Sequence, residues 1–215
     1  TCLYAKTFKK ADVALAKCTY LEIRGANSSA DVYLNGKKLA HHDGGYSTWR
    51  VDMTETLEEE NTLVIAVDNT ANETVYPQMA DFTFYGGIYR DVNIISVEET
   101  HFDLDYYGGI GLMITPALEG EDAKVEVKTW VTNQKETQTL RYTIYDKDEN
   151  VIATLDTKEN IANLEIKGVH RWHGRRDPYL YCCEVEILEG EEVIDAVCNR
   201  FGCRTFEIDA ERGFI

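Results

Sequence analysis

In the nine residues "AKVEVKTWV", positions 123–131, apolar and charged side chains take turns. Successive side chains of an extended chain point to opposite faces, so a two-residue period buries one face and wets the other. Ala123, Val125, Val127, Thr129 and Val131 share one side, and Lys124, Glu126, Lys128 and Trp130 the other. The period returns in "LRYTIYD", where Leu140, Tyr142 and Ile144 align, and in "YCCEVEIL", where Tyr181, Cys183, Val185 and Ile187 oppose Cys182, Glu184 and Glu186. "TLVIAVDN", 62–69, is more continuously apolar, as suits a strand with neighbours on both sides.

Turn signals punctuate these runs at short intervals. Asn35-Gly36 is the strongest, because both residues tolerate the positive φ of a type I′ hairpin between Val32–Leu34 and Lys37–Leu39. "DENV" at 148–151 and "EGEE" at 189–192 read as two more tight hairpins. Helix signals are scarce: "DMTETLEEEN", 52–61, holds one turn at most, with Asp52 or Thr54 as its cap. The expected class is all-β, two antiparallel β-sandwiches in tandem. The expected boundary lies near Glu98-Glu99-Thr100, where "HFDLDYYGGIGLMITP" starts a fresh series of strands.

Bulk properties exclude some functions. The chain of 215 residues carries a formal charge of −16, so phosphate backbones and anionic lipid are poor partners. No apolar run reaches the length of a membrane span, and no signal peptide is present. The chain begins without Met, so it reads as a piece of something longer. The six cysteines form no CxxC and no zinc spacing, and are expected as reduced thiols in a cytosolic protein. Asn27 and Asn72 fit the glycosylation pattern, which also arises by chance.

No catalytic constellation stands out. Most of the 38 acidic residues lie in turns such as "TLEEEN", "LEGED" and "LEGEE", which read as solvated faces. GxSxG and phosphate-binding glycine loops are absent. His41 and His42 are adjacent, so on a strand they diverge, whereas metal ligands converge. His170 and His173 flank Trp172, expected as a plug in a core or interface. The stretch "DFTFYGGIYRDV", 81–92, is different. Phe82, Phe84, Tyr85 and Tyr89 exceed what a turn needs, Gly86-Gly87 lets the backbone bend, and Asp81 can accept hydrogen bonds from hydroxyls. Aromatic faces beside a carboxylate suit sugars, whose C–H faces are apolar. A packed corner with Asp81 capping a turn fits slightly better at this point.

Read with its surroundings, that stretch resembles the non-catalytic N-terminal domains of family 2 glycoside hydrolases, the relatives of β-galactosidase, β-glucuronidase and β-mannosidase. "YAKTF" resembles the early strand, and "DVYLNGKKLAHHDGGYSTWRVDMTETL" the V-x-x-N-G…H-x-G-G-Y-x-x-F…D-I-T segment of the sugar-binding jelly roll. "DFTFYGGIYRDV" is similar to its closing loop and strand, and "RDPYLY" to the P-Y-L-Y near the end of the immunoglobulin-like domain. "FGCRTFEIDAERGFI" resembles the F-G-F-R…G-F passage into the catalytic barrel, with Cys203 in place of Phe. The ordered set looks most like the β-galactosidase branch.

The resemblance implies a galactose-binding-like jelly roll over 1–98 with its first strand missing, an immunoglobulin-like sandwich over 99–207, and a linker from 208 to 215. A (β/α)8 barrel of roughly 250 further residues would follow, carrying the acid/base and nucleophilic glutamates of a retaining mechanism. This chain then holds no catalytic residue and, alone, no activity. Asp81, ten residues before Asp91 of "RDV", matches the family's Asp that reaches into the barrel's active site, where it contacts sugar hydroxyls or, in some members, a monovalent cation. Arg90 and Asp91 are expected to fix the strand by local pairing. The implied partners are a carbohydrate substrate and the chain's own barrel, with a homo-oligomeric parent allowed; no cofactor and no metal ligand are expected, and the location is the bacterial cytoplasm. Two alternatives remain: an autonomous carbohydrate-binding module, and a structural or adhesive tandem of sandwiches.

Overall fold

The computed structural model describes residues 1–76 and 80–214. It is all-β, with no α-helix among those residues and two short 3-10 turns, Lys10–Asp12 and Thr54–Thr56. The Thr54 amide donates to Asp52 Oδ1 at 2.8 Å, so Asp52 organises the one turn expected there. The chain forms two compact units. The first comprises Thr1–Glu99 with Leu104–Gly109, and the second Thr100–Asp103 with Ile110–Ile215.

The first unit contains β1 (Cys2–Lys9), β2 (Cys18–Ile23), β3 (Ala26–Asn27), β4 (Ser29–Leu34), β5 (Lys37–Asp43), β6 (Trp49–Asp52), β7 (Glu60–Asp68), β8 (Gly87–Ile88) and β9 (Val92–Val97). Its two main antiparallel sheets have the orders β1-β7-β4-β5 and β6-β2-β9, and β3 pairs with β8. Between the sheets pack Ala30, Val32 and Leu34 of β4, Leu63, Ile65 and Val67 of β7, and Leu21 and Ile23 of β2. β7 is an inner strand, as its apolar run suggests, yet its burial still alternates. The β4–β5 hairpin turns on Asn35 (φ +52°) and Gly36 (φ +82°), the paired positive angles of a type I′ turn.

The second unit contains β10 (His101–Phe102), β11 (Leu112–Glu119), β12 (Asp122–Thr129), β13 (Val131–Thr132), β14 (Gln138–Tyr145), β15 (Val151–Thr157), β16 (Ile161–Ile166), β17 (Tyr181–Glu189), β18 (Glu192–Phe201), β19 (Ile208–Asp209) and β20 (Gly213–Phe214). Two sheets, β11-β12-β16 and β15-β14-β17-β18, form the sandwich. The alternating sets read from sequence line its core: Ala123, Val125 and Val127, then Leu140, Tyr142 and Ile144, then Cys183, Val185 and Ile187. Tyr142 is wholly buried, and its hydroxyl donates to the Glu159 carbonyl at 3.0 Å while lying 3.0 Å from Thr129 Oγ1, so the phenol is satisfied inside the core. The segment 208–214 forms the β19–β20 hairpin, with Phe206 stacked on Phe214 at 5.7 Å.

The expectation of six reduced thiols needs correction. A disulfide joins Cys182 of β17 to Cys198 of β18, leaving Cys2, Cys18, Cys183 and Cys203 free. An unbroken register from the Glu189↔Glu192 pair would set Cys198 opposite Cys183. The bulge at Ile187/Leu188 shifts the ladder by one, so Cys198 faces Glu184 and shares a sheet face with Cys182. Burial pushes the Cys183 thiol up to about 12 and Cys203 up to about 11, so both act as small apolar groups.

Candidate carbohydrate rim

The loop that carries Asp81 is anchored at its C-terminal end. Asn27↔Gly87 and Ala26↔Ile88 pair β3 with β8, and the buried Asn27 donates from Nδ2 to the Tyr85 carbonyl at 2.9 Å. Gly87 (φ +80°) packs against the Tyr4 hydroxyl so closely that a Cβ there would lie 2.3 Å from the oxygen. Tyr4 in turn accepts the Ile88 amide at 3.2 Å. A Cβ on Gly86 would meet Asn69 Nδ2 at 2.5 Å. The Gly-Gly pair is thus required by close approach within the unit.

Past the glycines, the loop grips the 44–47 turn. The Tyr89 hydroxyl donates to the Gly45 carbonyl, its ring meets Tyr46 edge-on at 6.2 Å, and burial pushes its phenol above the ordinary value. Arg90 Nη1 donates to the Tyr46 carbonyl at 2.8 Å. The Arg24 amide donates to the Asp91 carbonyl at 3.0 Å, so residues 90 and 91 do fix the strand locally.

Before the glycines the aromatics face outward. Phe82 and Tyr85 are 55% and 67% exposed, and Phe82 lies against Phe84 at 4.8 Å. Asp81 is exposed, and no hydrogen bond to its carboxylate is formed among the described residues, so it does not act there as a turn cap. The four aromatics named in sequence divide in two: Tyr89 is an anchor, while Phe82, Phe84 and Tyr85 crowd the exposed part beside Asp81.

The histidine pair diverges as expected. His41 contacts Asp31 at 2.7 Å and Asp43 at 3.2 Å, whereas His42 stacks on Trp49 at 4.7 Å and is held below its ordinary pKa by burial. Among the described residues no group of three or more His, Cys, Asp or Glu could hold a metal ion. In the second unit His170 pairs with Asp177 at 2.6 Å and stacks on Tyr179. Trp172 is half-buried, resting on Gly202 under the Arg204 guanidinium, a surface plug rather than a core one.

Sequence reading missed a buried ion pair behind this rim. Arg50 Nη2 lies 2.8 Å from Glu22 Oε2, with both side chains only 5% exposed. Burial alone raises the Glu22 carboxyl. Hydrogen bonds from Arg24, Asn93 and Arg50, with the Arg50 charge, outweigh it and hold the carboxyl below its ordinary value. Arg50 Nη1 also donates to the carbonyls of Leu104 at 2.8 Å and Gly109 at 2.6 Å. The only signal for this was Glu22 standing inside the apolar run "TYLEI".

Two family models match the chain in order. Residues 1–94 match "Glycosyl hydrolase 2 galactose-binding domain-like" and residues 110–204 match "Glycosyl hydrolases family 2". A β-glucuronidase of Bacteroides fragilis is 28% identical across 92% of this chain, and a β-galactosidase of Thermoanaerobacter pseudethanolicus 26% identical across 95%. The crystal structure of an FMN-binding β-glucuronidase from Facaelibacterium prausnitzii L2-6 superposes with a TM-score of 0.92 at 35% identity, over 99% of this chain and 34% of that one. A putative β-galactosidase from Bacteroides fragilis gives 0.87 at 30%, also over 99% and 34%. The chain spans only 30% and 28% of the two curated relatives.

Proposed function

Because this chain belongs to glycosyl hydrolase family 2, we propose that it supplies the two N-terminal, non-catalytic domains of an enzyme that hydrolyses terminal β-glycosides with retention. The observation that carries this reading is the ordered match of both domains across almost the whole chain, set against relatives about three times as long. Retaining hydrolysis needs two carboxylates about 5 Å apart, and in this reading a further catalytic domain provides them. Relatives named for galactosidase and for glucuronidase activity stand side by side, so the substrate is a terminal β-galactoside or β-glucuronide, separated by assay with the two nitrophenyl glycosides.

In this reading Asp81 accepts hydrogen bonds from substrate hydroxyls at the active-site edge, and the exposed Phe82 and Tyr85 line its approach. A carboxylate that already capped a turn would have little capacity left for a sugar; Asp81 forms no such bond among the described residues. A hydrogen bond to a charged group contributes about 1.5–3 kcal/mol. Asp81→Ala in the full-length enzyme is therefore expected to lower kcat/KM by roughly 10- to 100-fold, with the melting temperature moving by less than about 2 °C. A large fall in melting temperature, with activity per folded molecule intact, would instead make Asp81 a structural residue.

A further inference from the structure

The segment Leu104–Gly109, "LDYYGG", reads in sequence as the start of the second strand series, yet it belongs to the first unit. It is held firmly. Arg50 binds the carbonyls at both of its ends, and the Gly109 amide closes the turn onto the Tyr106 carbonyl at 2.9 Å. Gly108 (φ +67°) sits so near the Thr48 carbonyl that a Cβ would lie 1.9 Å from its oxygen. Within that clamp Tyr107 adopts φ +48°, a conformation that costs a residue bearing a side chain.

Burial does not offset that cost. Tyr107 is 89% exposed, and its ring meets that of Tyr106 (38% exposed) edge to face at 4.9 Å. The display also has a definite place. The Asp81 loop grips Gly45 and Tyr46, and Gly108 packs on Thr48. Only Ser47 separates Tyr46 from Thr48, so their Cα atoms lie at most about 7 Å apart. Both segments therefore border one rim of the first unit.

We infer that Tyr107, backed by Tyr106, is a carbohydrate-contacting platform that extends the Asp81 rim and takes the apolar face of a second pyranose ring in an extended β-glycan. The size of the display favours this occupant. A whole aromatic side chain offers about 150–250 Å², and with Tyr106 only 38% exposed the two tyrosines present less than twice that, short of the ~800 Å² per partner of a stable protein interface. They match a sugar ring and offer it hydroxyls as well as ring faces. The inference rests on the glycosidase reading above.

The test uses the full-length enzyme, a nitrophenyl monosaccharide and a β-linked tetrasaccharide with the same terminal sugar. Tyr107→Gly removes the ring and suits φ +48°, so the melting temperature should hold within about 2 °C. KM for the tetrasaccharide should rise about three- to tenfold, with kcat and the nitrophenyl kinetics unchanged. Gly108→Ala, which displaces the clamp with both rings retained, should give the same substrate-selective pattern. An unchanged tetrasaccharide KM in a stable Tyr107→Gly enzyme overturns the platform, as does an equal loss on both substrates together with a lower melting temperature. Should the wild-type enzyme hydrolyse no β-glycoside, the glycosidase reading falls. Calorimetric titration of the tetrasaccharide into wild-type and Tyr107→Gly protein then still decides the platform, which survives only if binding weakens in the variant.

Discussion

The first unit buries an ion pair, Glu22–Arg50, behind a rim of exposed aromatic loops; the second buries no Asp, Glu, Lys or Arg among its described residues. Both units mix short and long connections, the longest in the second running from 167 to 180 and in the first further still. In the second unit β11–β12 and β17–β18 are joined by two-residue turns, Glu119↔Asp122 and Glu189↔Glu192. In the first, the chain between β7 and β8 runs from 69 to 86 without a strand among its described residues. Long connections on a rigid sandwich are where binding groups concentrate. A buried charge pair contributes little net stability, but it fixes geometry when its remaining donors are used, and Arg50 uses them on Leu104 and Gly109. The second unit, packed apolar strand on apolar strand, has the composition of a support.

The largest effect that would break this comparison is at the ion pair. Arg50→Leu removes the buried counter-charge of Glu22, leaving only the half-exposed Arg24 beside it, and should cost the first unit about 3–5 kcal/mol. That is more than about 12 °C in its melting transition, while Glu22→Leu with Arg50→Leu should recover much of it. The wild-type advantage carries a pH signature. The folded Glu22 pKa lies below its ordinary 4.5, so the contribution is whole above pH 4.5 and is lost as pH falls through the lowered value. Urea titrations at pH 7 and pH 4 should show the penalty of Arg50→Leu shrinking in acid. A penalty independent of pH would mean that Glu22 is not ionised in the fold.

Next comes Ile144→Ala in the second unit, which removes a fully buried side chain and should cost about 2–5 kcal/mol. No titratable group is lost, so the same value is expected at both pH values. A marked pH dependence would show that an ionisable group couples to this core. The smallest effect sharpens the comparison by erasing it. Gly36 and Gly190 turn hairpins in opposite units, at φ +82° and +65°, with nothing within 4 Å of an added Cβ. Substitution by Ala should cost each unit about 1 kcal/mol of backbone strain and no more. Unequal losses in chemical denaturation would reveal a contact that these turns do not display.

Much of this was legible because a two-residue period writes burial directly into sequence. The inward sets of β12, β14 and β17 could be read off, as could the type I′ turn at Asn35-Gly36. What escaped depends on register or on distant pairing. The disulfide needed the bulge at Ile187/Leu188, which no composition announces. Glu22 finds Arg50 twenty-eight residues away, and a lone acid in a strand reads as its wet face until the covering segment is known. Leu104–Gly109 carries the same Gly-Gly and aromatic signature as the Asp81 loop, but its allegiance is set by Arg50 rather than by chain order.

That allegiance has a practical corollary. Thr100–Asp103 go to one body before Leu104–Gly109 return to the other. No single cleavage can therefore release either half intact. A cut after Glu99 deprives Arg50 of both its carbonyl acceptors, and a cut after Gly109 carries off His101–Phe102, whose partners are β13 and Asp195. Proteases, genetic recombination and designed truncations all meet the same constraint: the pair travels together or arrives damaged.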